Sequence, residues 1–404
     1  MKDYDYIIAG GGCAGLSLAA RINRSPLKHK RILILDTEAK TTNDKTWCFW
    51  AEKTQYFFTS EYIGWENLKF ISPEGTLEES ISPMAYHFVS SGDFYQNIYK
   101  ELKGNPNIEF RYERILAMED HAQGARVLTD GGQYQADWIF NSIHFPTQKK
   151  DTQKIYLSQH FYGWFLEMDE DTFDPEQMTL MDFSIEQGSD TRFVYVLPLN
   201  KRKALVEYTV FSGGAWEREA YLPHITSYME KNFPGKTFKI IQEEMGDIPM
   251  TNHSFSRMRG KRIMNIGTAG GFTKPTTGYT FKSIQDDTTN IVDSLMKKGK
   301  PTYKLPNRAR FAFYDNLLLY IIHQQGHTVR DIFYRLFKRN SFSTILRFLD
   351  ERTKFWEELW IMGRLPWMPF LNAIKNYYIL RKRLPKAINS SRPNQDPRHE
   401  SSVA

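Results

Sequence analysis

The stretch ALVEYTVF, residues 204–211, sets one acid in a strand that is otherwise apolar or hydroxylated. Alternation along a strand puts Leu205, Glu207, Thr209 and Phe211 on one face and Val206, Tyr208 and Val210 on the other. Neither face is plainly polar, so both are expected to be covered, leaving Glu207 among apolar neighbours. Burial disfavours a carboxylate and raises its pKa, which keeps a proton available near neutral pH. Such an acid can protonate a group of very low basicity in a dry pocket. From the residues alone, an ion-paired structural Glu or one at an exposed sheet edge is the favoured reading. Asp182, in LMDF, is a second acid of the same region, either a hydrogen-bond partner or proton carrier, or a plain strand-end Asp.

Two glycine stretches carry a different chemistry. GGGCAG supplies Gly10, Gly12 and Gly15 in G-x-G-x-x-G spacing, with Gly11, Cys13 and Ala14 between them. Gly10 permits the tight turn, Gly12 lets a pyrophosphate approach the backbone, and Gly15 allows close helix–strand packing. A strand precedes the motif, a helix follows, and Asp36 ends the next strand, where an acid would hold ribose hydroxyls. The motif does not separate FAD from NAD. Far downstream, RIMNIGTAGGFTKPTTGYTF pairs a buried strand with a second loop of small residues. Phe281, Ile284, Thr288, Ile291 and Leu295 then recur at helical spacing, so a helix is expected to begin near Gly278 with Thr276 and Thr277 as N-caps. Gly267, Thr276, Thr277 and Gly278 thereby become candidate cofactor contacts. One extended dinucleotide held at two points suits FAD, because no further G-x-G-x-x-G is present for a second nucleotide.

Together with other segments, these stretches resemble the lycopene cyclase family of flavoproteins. NDKTWCFW (43–50), FDPEQMTLMDF (173–183), YVLPL (195–199), ALVEYTVFS (204–212) and GFTKPTTGYTF (271–281) are similar to that family's segments, in order, over roughly the first 300 residues. The family usually has Arg where this chain has Lys45, a residue the resemblance places at the cofactor. It implies a non-redox use of FAD: an acyclic polyene, lycopene, is protonated at a terminal double bond, a β-ring closes, and a proton is lost. It also implies that the flavin is reduced, with NAD(P)H as the usual electron source, that the reduced ring stabilises the cation, and that Glu207 is the proposed acid. Trp164, Phe183, Phe193, Tyr195 and Phe211 are candidates for lining the polyene site, with plain core packing as the alternative for each. A monooxygenase or prenyl-lipid reductase using NAD(P)H, and a membrane-associated flavin-containing binding protein without catalysis, are the rival readings.

The elements that must position these residues read as an α/β (α+β) chain. Strand, turn, helix and strand open it, and aromatic-rich strands separated by polar turns run from about Gln159 to Gly214, the pattern of an antiparallel sheet. The expected organisation is a Rossmann-type FAD-binding domain over 1–75, 91–150 and 255–300, with an antiparallel-sheet substrate domain inserted over 76–90 and 151–254. A helical, basic, membrane-proximal region covers 301–388, and 389–404 is a polar tail expected to be disordered.

Composition fits this reading. The chain has 404 residues, 41% apolar and 25% charged, which excludes global disorder, and 15% aromatic, which suits a large apolar ligand or lipid contact as well as a bulky core. Its two cysteines, Cys13 and Cys48, lack metal-ligand spacing and point to a reducing compartment; Cys13 reads as a small buried filler. From Pro301 onward 18 Lys or Arg stand against 8 Asp or Glu, although the whole chain carries only +6. Basic residues interleaved with FAFYDNLLLYII, TKFWEELW and LPWMPF suit peripheral contact with an anionic membrane, on the cytoplasmic face, or a covering helical lid. No recognised motif accompanies them to suggest nucleic acid.

Overall fold

The computed structural model describes residues 3–52, 63–121, 123–143, 154–306 and 308–383; the tail expected to be disordered, 389–404, lies outside them. The chain opens with β1 (Tyr4–Ala9), α1 (Cys13–Asn23) and β2 (Ile32–Asp36), two near-continuous apolar strands around a glycine turn. β3 (Thr46–Glu52), β4 (Ile63–Trp65), β5 (Asn67–Ser72), β6 (Gly75–Ser80) and β7 (Met84–Ser90) follow, then α2 (Ser91–Leu102). β8 (Ile108–Tyr112), β9 (Ile115–His121), β10 (Gly124–Thr129) and β11 (Gln133–Asn141) return to the first sheet, whose order is β8-β2-β1-β11-β10-β9. Its β8-β2-β1-β11 half is parallel, and the inner strands β1 and β2 are buried over most of their length, which is why they read as near-continuous apolar runs.

The second sheet takes β12 (Tyr156–Met168), β13 (Gln177–Asp182), β14 (Thr191–Pro198) and β15 (Lys203–Ser212), then, after helix α3 (Arg218–Asn232), the long β16 (Phe238–Thr251). Its order is β16-β12-β15-β14-β13-β5-β6, antiparallel except where β13 meets β5. The strand at Asn67–Ser72 thus already belongs to this sheet, upstream of the expected boundary at residue 76. β3, β7 and β4 form a small antiparallel sheet that bridges the two large ones.

β17 (Ile263–Asn265) rejoins the first sheet parallel to β11 and leads through a 3-10 turn, Gly267–Gly270, to α4 (Phe281–Lys298). All five residues of the expected helical stripe on α4 are buried. The helix starts at Phe281 and not near Gly278, and neither Thr276 nor Thr277 caps it: the amides of Thr277 and Gly278 bond back to the Lys274 carbonyl at 3.4 and 2.9 Å, closing their own turn first.

The C-terminal third is helical: α5 (Ala309–Gln325), α6 (Val329–Arg339), α7 (Phe342–Leu349), α8 (Phe355–Met362) and α9 (Trp367–Arg383). On α6 Val329, Ile332, Phe333, Leu336 and Phe337 repeat at helical spacing and are buried. With α5 and α7 they cover one face of the second sheet, packing on Leu180, Phe183, Phe193, Leu205 and Phe211. α3 covers the other face through Tyr221, Ile225, Tyr228 and Met229, against Trp164, Val194, Val206 and Tyr208. The two-faced cover follows from the alternation of β15, both of whose faces are apolar.

Candidate active site at the junction of the two sheets

Gly15 packs where no side chain fits: a Cβ there would lie 2.0 Å from the Gly10 carbonyl oxygen and 2.9 Å from Ile8 Cγ2. Gly10 itself has φ +102°, the left-handed side that L side chains avoid. The turn is pinned to β2, with the Gly10 amide donating to Leu35 O and the Gly11 amide to Asp36 Oδ2, each at 2.8 Å. α1 begins behind Gly12, which has no side chain to cap it, and its first turn holds no acid. A helix N-terminus so exposed invites a ligand anion. A Cβ on Gly12 would meet no atom within 4 Å, so this side of the turn faces open space.

That space is a cleft of about 560 Å³. Of the residues singled out from the sequence, Gly10, Gly12, Cys13, Ala14, Asp36, Lys45, Gly267, Thr277, Gly278 and Glu207 line it. Gly11 and Gly15 shape the turn from behind. Two of the expected contacts are elsewhere. Thr276 is buried away from the cleft, its hydroxyl donating to Asp315 Oδ1 at 2.8 Å, because the loop carries it toward α5. Asp182 is on the α3 face of the sheet, accepting from Tyr228 Oη at 2.9 Å and from the Ser184 amide at 2.8 Å. It is a structural acid on the opposite side from Glu207. Trp164 likewise packs under α3, leaving it off the cleft.

Glu207 stands on β15 directly across from Gly163 on β12 and Tyr195 on β14. What exposure its side chain has is to the cleft. Burial first, then repulsion from Glu244, push its carboxyl up from 4.5 to about 8, while a 2.7 Å hydrogen bond from Thr209 Oγ1 pulls the other way. Glu244, on β16, also faces Gly163, from the other neighbouring strand. It is buried, with its carboxyl raised mainly by burial although the Thr46 amide (2.7 Å) and hydroxyl (2.5 Å) donate to it. Gly163 makes room for this pair: a Cβ on it would lie 3.0 Å from Leu205 Cδ1 and 3.3 Å from Glu207 Cβ. Tyr86, Tyr195 and Tyr279 close the apolar wall of the cleft, with Tyr86 and Tyr279 hydroxyls 2.9 Å apart. Burial holds all three phenols above their ordinary range.

Sequence reasoning missed Glu244, Gly163 and Gln159. The EEMG stretch around Glu244 reads as an exposed polar strand, and only the pairing of β12 with β16 reveals its burial. Cys13 and Cys48 line the cleft as thiols, burial raising Cys13 to about 12 and Cys48 higher still. Among the described residues no group of three or more His, Cys, Asp or Glu could hold a metal ion.

The residues present fit a flavin dinucleotide. The glycine turn, the uncapped α1 terminus and Asp36 form one end of the cleft, and the turn at Gly267 meets α1 so closely that a Cβ there would be 2.8 Å from that of Ala14. Two buried polar atoms on the cleft wall, Gln159 Oε1 and Thr277 Oγ1, have no partner in the protein, as groups awaiting a polar ligand would.

The architecture is that of FAD-dependent flavoproteins. Klebsiella pneumoniae HpxO, solved with FAD and uric acid, superposes with a TM-score of 0.58 at 15% identity, over 87% of this chain and 97% of that one. A geranylgeranyl bacteriochlorophyll reductase-like protein of Thermoplasma acidophilum gives 0.57 at 12% identity, over 94% and 100%. Within that class the sequence is more particular. The family described as lycopene cyclase protein matches residues 5–375, and the chain belongs to it. The lycopene beta-cyclase of Pantoea ananas is 23% identical over 293 residues, 69% of this chain and 71% of that protein.

Proposed function

We propose that this protein closes β-rings on lycopene to give β-carotene, with Glu207 as the proton donor. The observation that supports it is a carboxyl held near pKa 8 on the apolar wall of a dinucleotide-shaped cleft. At pH 7 Glu207 is mostly protonated. It donates its proton to a terminal double bond of the polyene, and the resulting cation is attacked by the neighbouring double bond, closing a six-membered ring. Loss of a ring proton ends the reaction, and the Glu207 carboxylate, now ionised, is placed to take it. Nothing is oxidised overall, so the reaction is an isomerisation, an intramolecular lyase step. Tyr195 and Tyr279 line the cleft; aromatic rings there would favour the cation, and the apolar wall would keep out water that could trap it.

FAD would be held by Gly10–Gly15, Asp36 and Lys45 at one end and by Gly267, Thr277 and Gly278 at the other. In its reduced form, with NAD(P)H as electron donor, it would supply an electron-rich ring that stabilises the cation. The substrate dissolves in bilayers, and no helix among the described residues is long and apolar enough to cross one. Peripheral contact, on the cytoplasmic face, is the mode proposed: α8 and α9 expose Phe355, Trp356, Leu359, Trp360, Trp367 and Met368 beside Lys354 and Arg364.

Expression in a host that accumulates lycopene tests the proposal. A change from red to orange with β-carotene appearing supports it. An unchanged pigment refutes it, and an oxygenated or saturated product with stoichiometric NADPH consumption would place the chain among redox flavoenzymes instead.

A further inference from the structure

A second cavity lies under α5–α9, on the same face of the second sheet as Glu207. Its wall is almost wholly apolar, with Leu317, Phe333, Leu336, Phe337, Leu346 and Phe370 as its main lining. The charged groups that reach it are paired: Lys274 binds Asp315 at 2.8 Å and Glu351 at 3.0 Å, and Thr276 donates to Asp315. At about 80 Å³ it is a narrow slot beside the roomy flavin-shaped cleft. Three residues line both spaces, namely Tyr195, Thr277 and Tyr279. Tyr195 is the cross-strand neighbour of Glu207, so this shared wall stands next to the acid. At the other end, Met362, Leu365 and Phe370 line the slot from the α8–α9 segment that carries the exposed aromatic ridge.

We propose that this slot holds the unreacted length of a linear isoprenoid chain, and that Tyr195, Tyr279 and Thr277 form the threshold its end crosses to reach Glu207. The inference rests on the function proposed above and adds to it where the substrate lies. The occupant is chosen by continuity of lining: the α8–α9 segment that carries the exposed Trp-rich ridge lines one end of the slot, and Tyr195, cross-strand neighbour of the acid, lines the other. A thin, uncharged chain suits a space this narrow with no unpaired charge on its wall. The Tyr86–Tyr279 hydrogen bond and the edge-on contact of Trp50 with Tyr279 (4.5 Å between centroids) fix one side of the threshold.

The test fills the slot from two different helices, with Leu336→Trp on α6 and Leu317→Trp on α5, and opens it with Leu336→Ala. Holoenzyme is loaded with lycopene from detergent micelles, gel-filtered, and the polyene retained per flavin is read by absorbance, so that folding and cofactor retention are scored in the same sample. Both Trp variants should keep the flavin and retain lycopene about tenfold less than wild type, the scale of overpacking a close-packed site, whereas Leu336→Ala should retain it. Undiminished retention in either flavin-loaded Trp variant would overturn the assignment. Retention by wild type that is lost on filling, without any β-carotene formed after NAD(P)H has reduced the flavin, would leave the slot assigned and refute the ring-closing chemistry instead.

Discussion

Replacing Glu207 by Gln should make the protein inactive and, above neutral pH, more stable. The folded-state pKa of Glu207 is raised from 4.5 to about 8. A group raised in this way stabilises the fold fully below the lower value, and that contribution is lost as pH climbs toward the upper one. Between pH 4.5 and pH 7 the folded state is disfavoured by about 3 kcal/mol relative to acid, and by roughly 5 kcal/mol once pH exceeds 8, at 1.36 kcal/mol per pH unit. These figures are upper bounds, since water in the cleft screens the charge. Glutamine has the same shape and no charge to bury, so it removes the penalty. Denaturant midpoints of wild type and Glu207→Gln, with matched flavin content, should coincide near pH 5 and separate by a few kcal/mol in the variant's favour at pH 8.5. Cyclisation by the variant should fall by about 10²–10⁴-fold, the usual contribution of a general acid. Parallel stability curves for the two proteins, or variant turnover within about tenfold of wild type, would refute the account of Glu207 as a buried protonated donor.

Glu244→Gln should move the alkaline limb of the activity profile to lower pH, because repulsion from Glu244 helps keep Glu207 protonated; an unmoved limb, measured by initial rates from pH 6 to 9, would show the two acids to be independent. Gly15→Ala should abolish flavin retention, since its Cβ would be 2.0 Å from a backbone oxygen that cannot swing away; the flavin absorbance of purified protein reads this directly. Lys274→Met leaves Asp315 and Glu351 without their shared cation. That should destabilise the fold by about 3–5 kcal/mol, seen as a lower urea midpoint.

Part of this site is legible in the sequence because its signals are local. The glycine turn, β1, α1 and β2 announce themselves through spacing within some thirty residues, and Glu207 stands out because its strand has two apolar faces. Which face becomes the cleft is a tertiary fact. Trp164 sits opposite Val206 in the β12–β15 register and so falls under α3. At Asp182 the alternation is broken by an irregularity in β13 between Thr179 and Asp182, so counting residues cannot assign its side. Helix α3 is hidden because Pro223 lies inside it and its apolar residues have almost no helical period. Glu244 is buried by Thr46, a residue 198 positions away that neither strand can foretell.

The fold by itself does not select the chemistry, since flavoproteins at 12–15% identity share it. On this fold, two carboxyls stand where the second sheet meets the cleft. A glycine at position 163 lets two carboxyls from flanking strands, Glu207 and Glu244, approach across it. They differ in support: Glu244 accepts two hydrogen bonds from Thr46, whereas Glu207 accepts one from Thr209 and otherwise faces tyrosine rings and the cleft. Hydrogen bonds favour the charged form, so the better-supported Glu244 ionises more readily and its charge pushes the proton onto Glu207. The acid that keeps its proton is therefore the one beside Tyr195 and Tyr279, where an apolar chain end would arrive. Burying that carboxyl opposes folding as pH rises through the neutral range toward 8. On the function proposed above, the proton kept there is the one delivered to the polyene, a group too weakly basic for water to protonate.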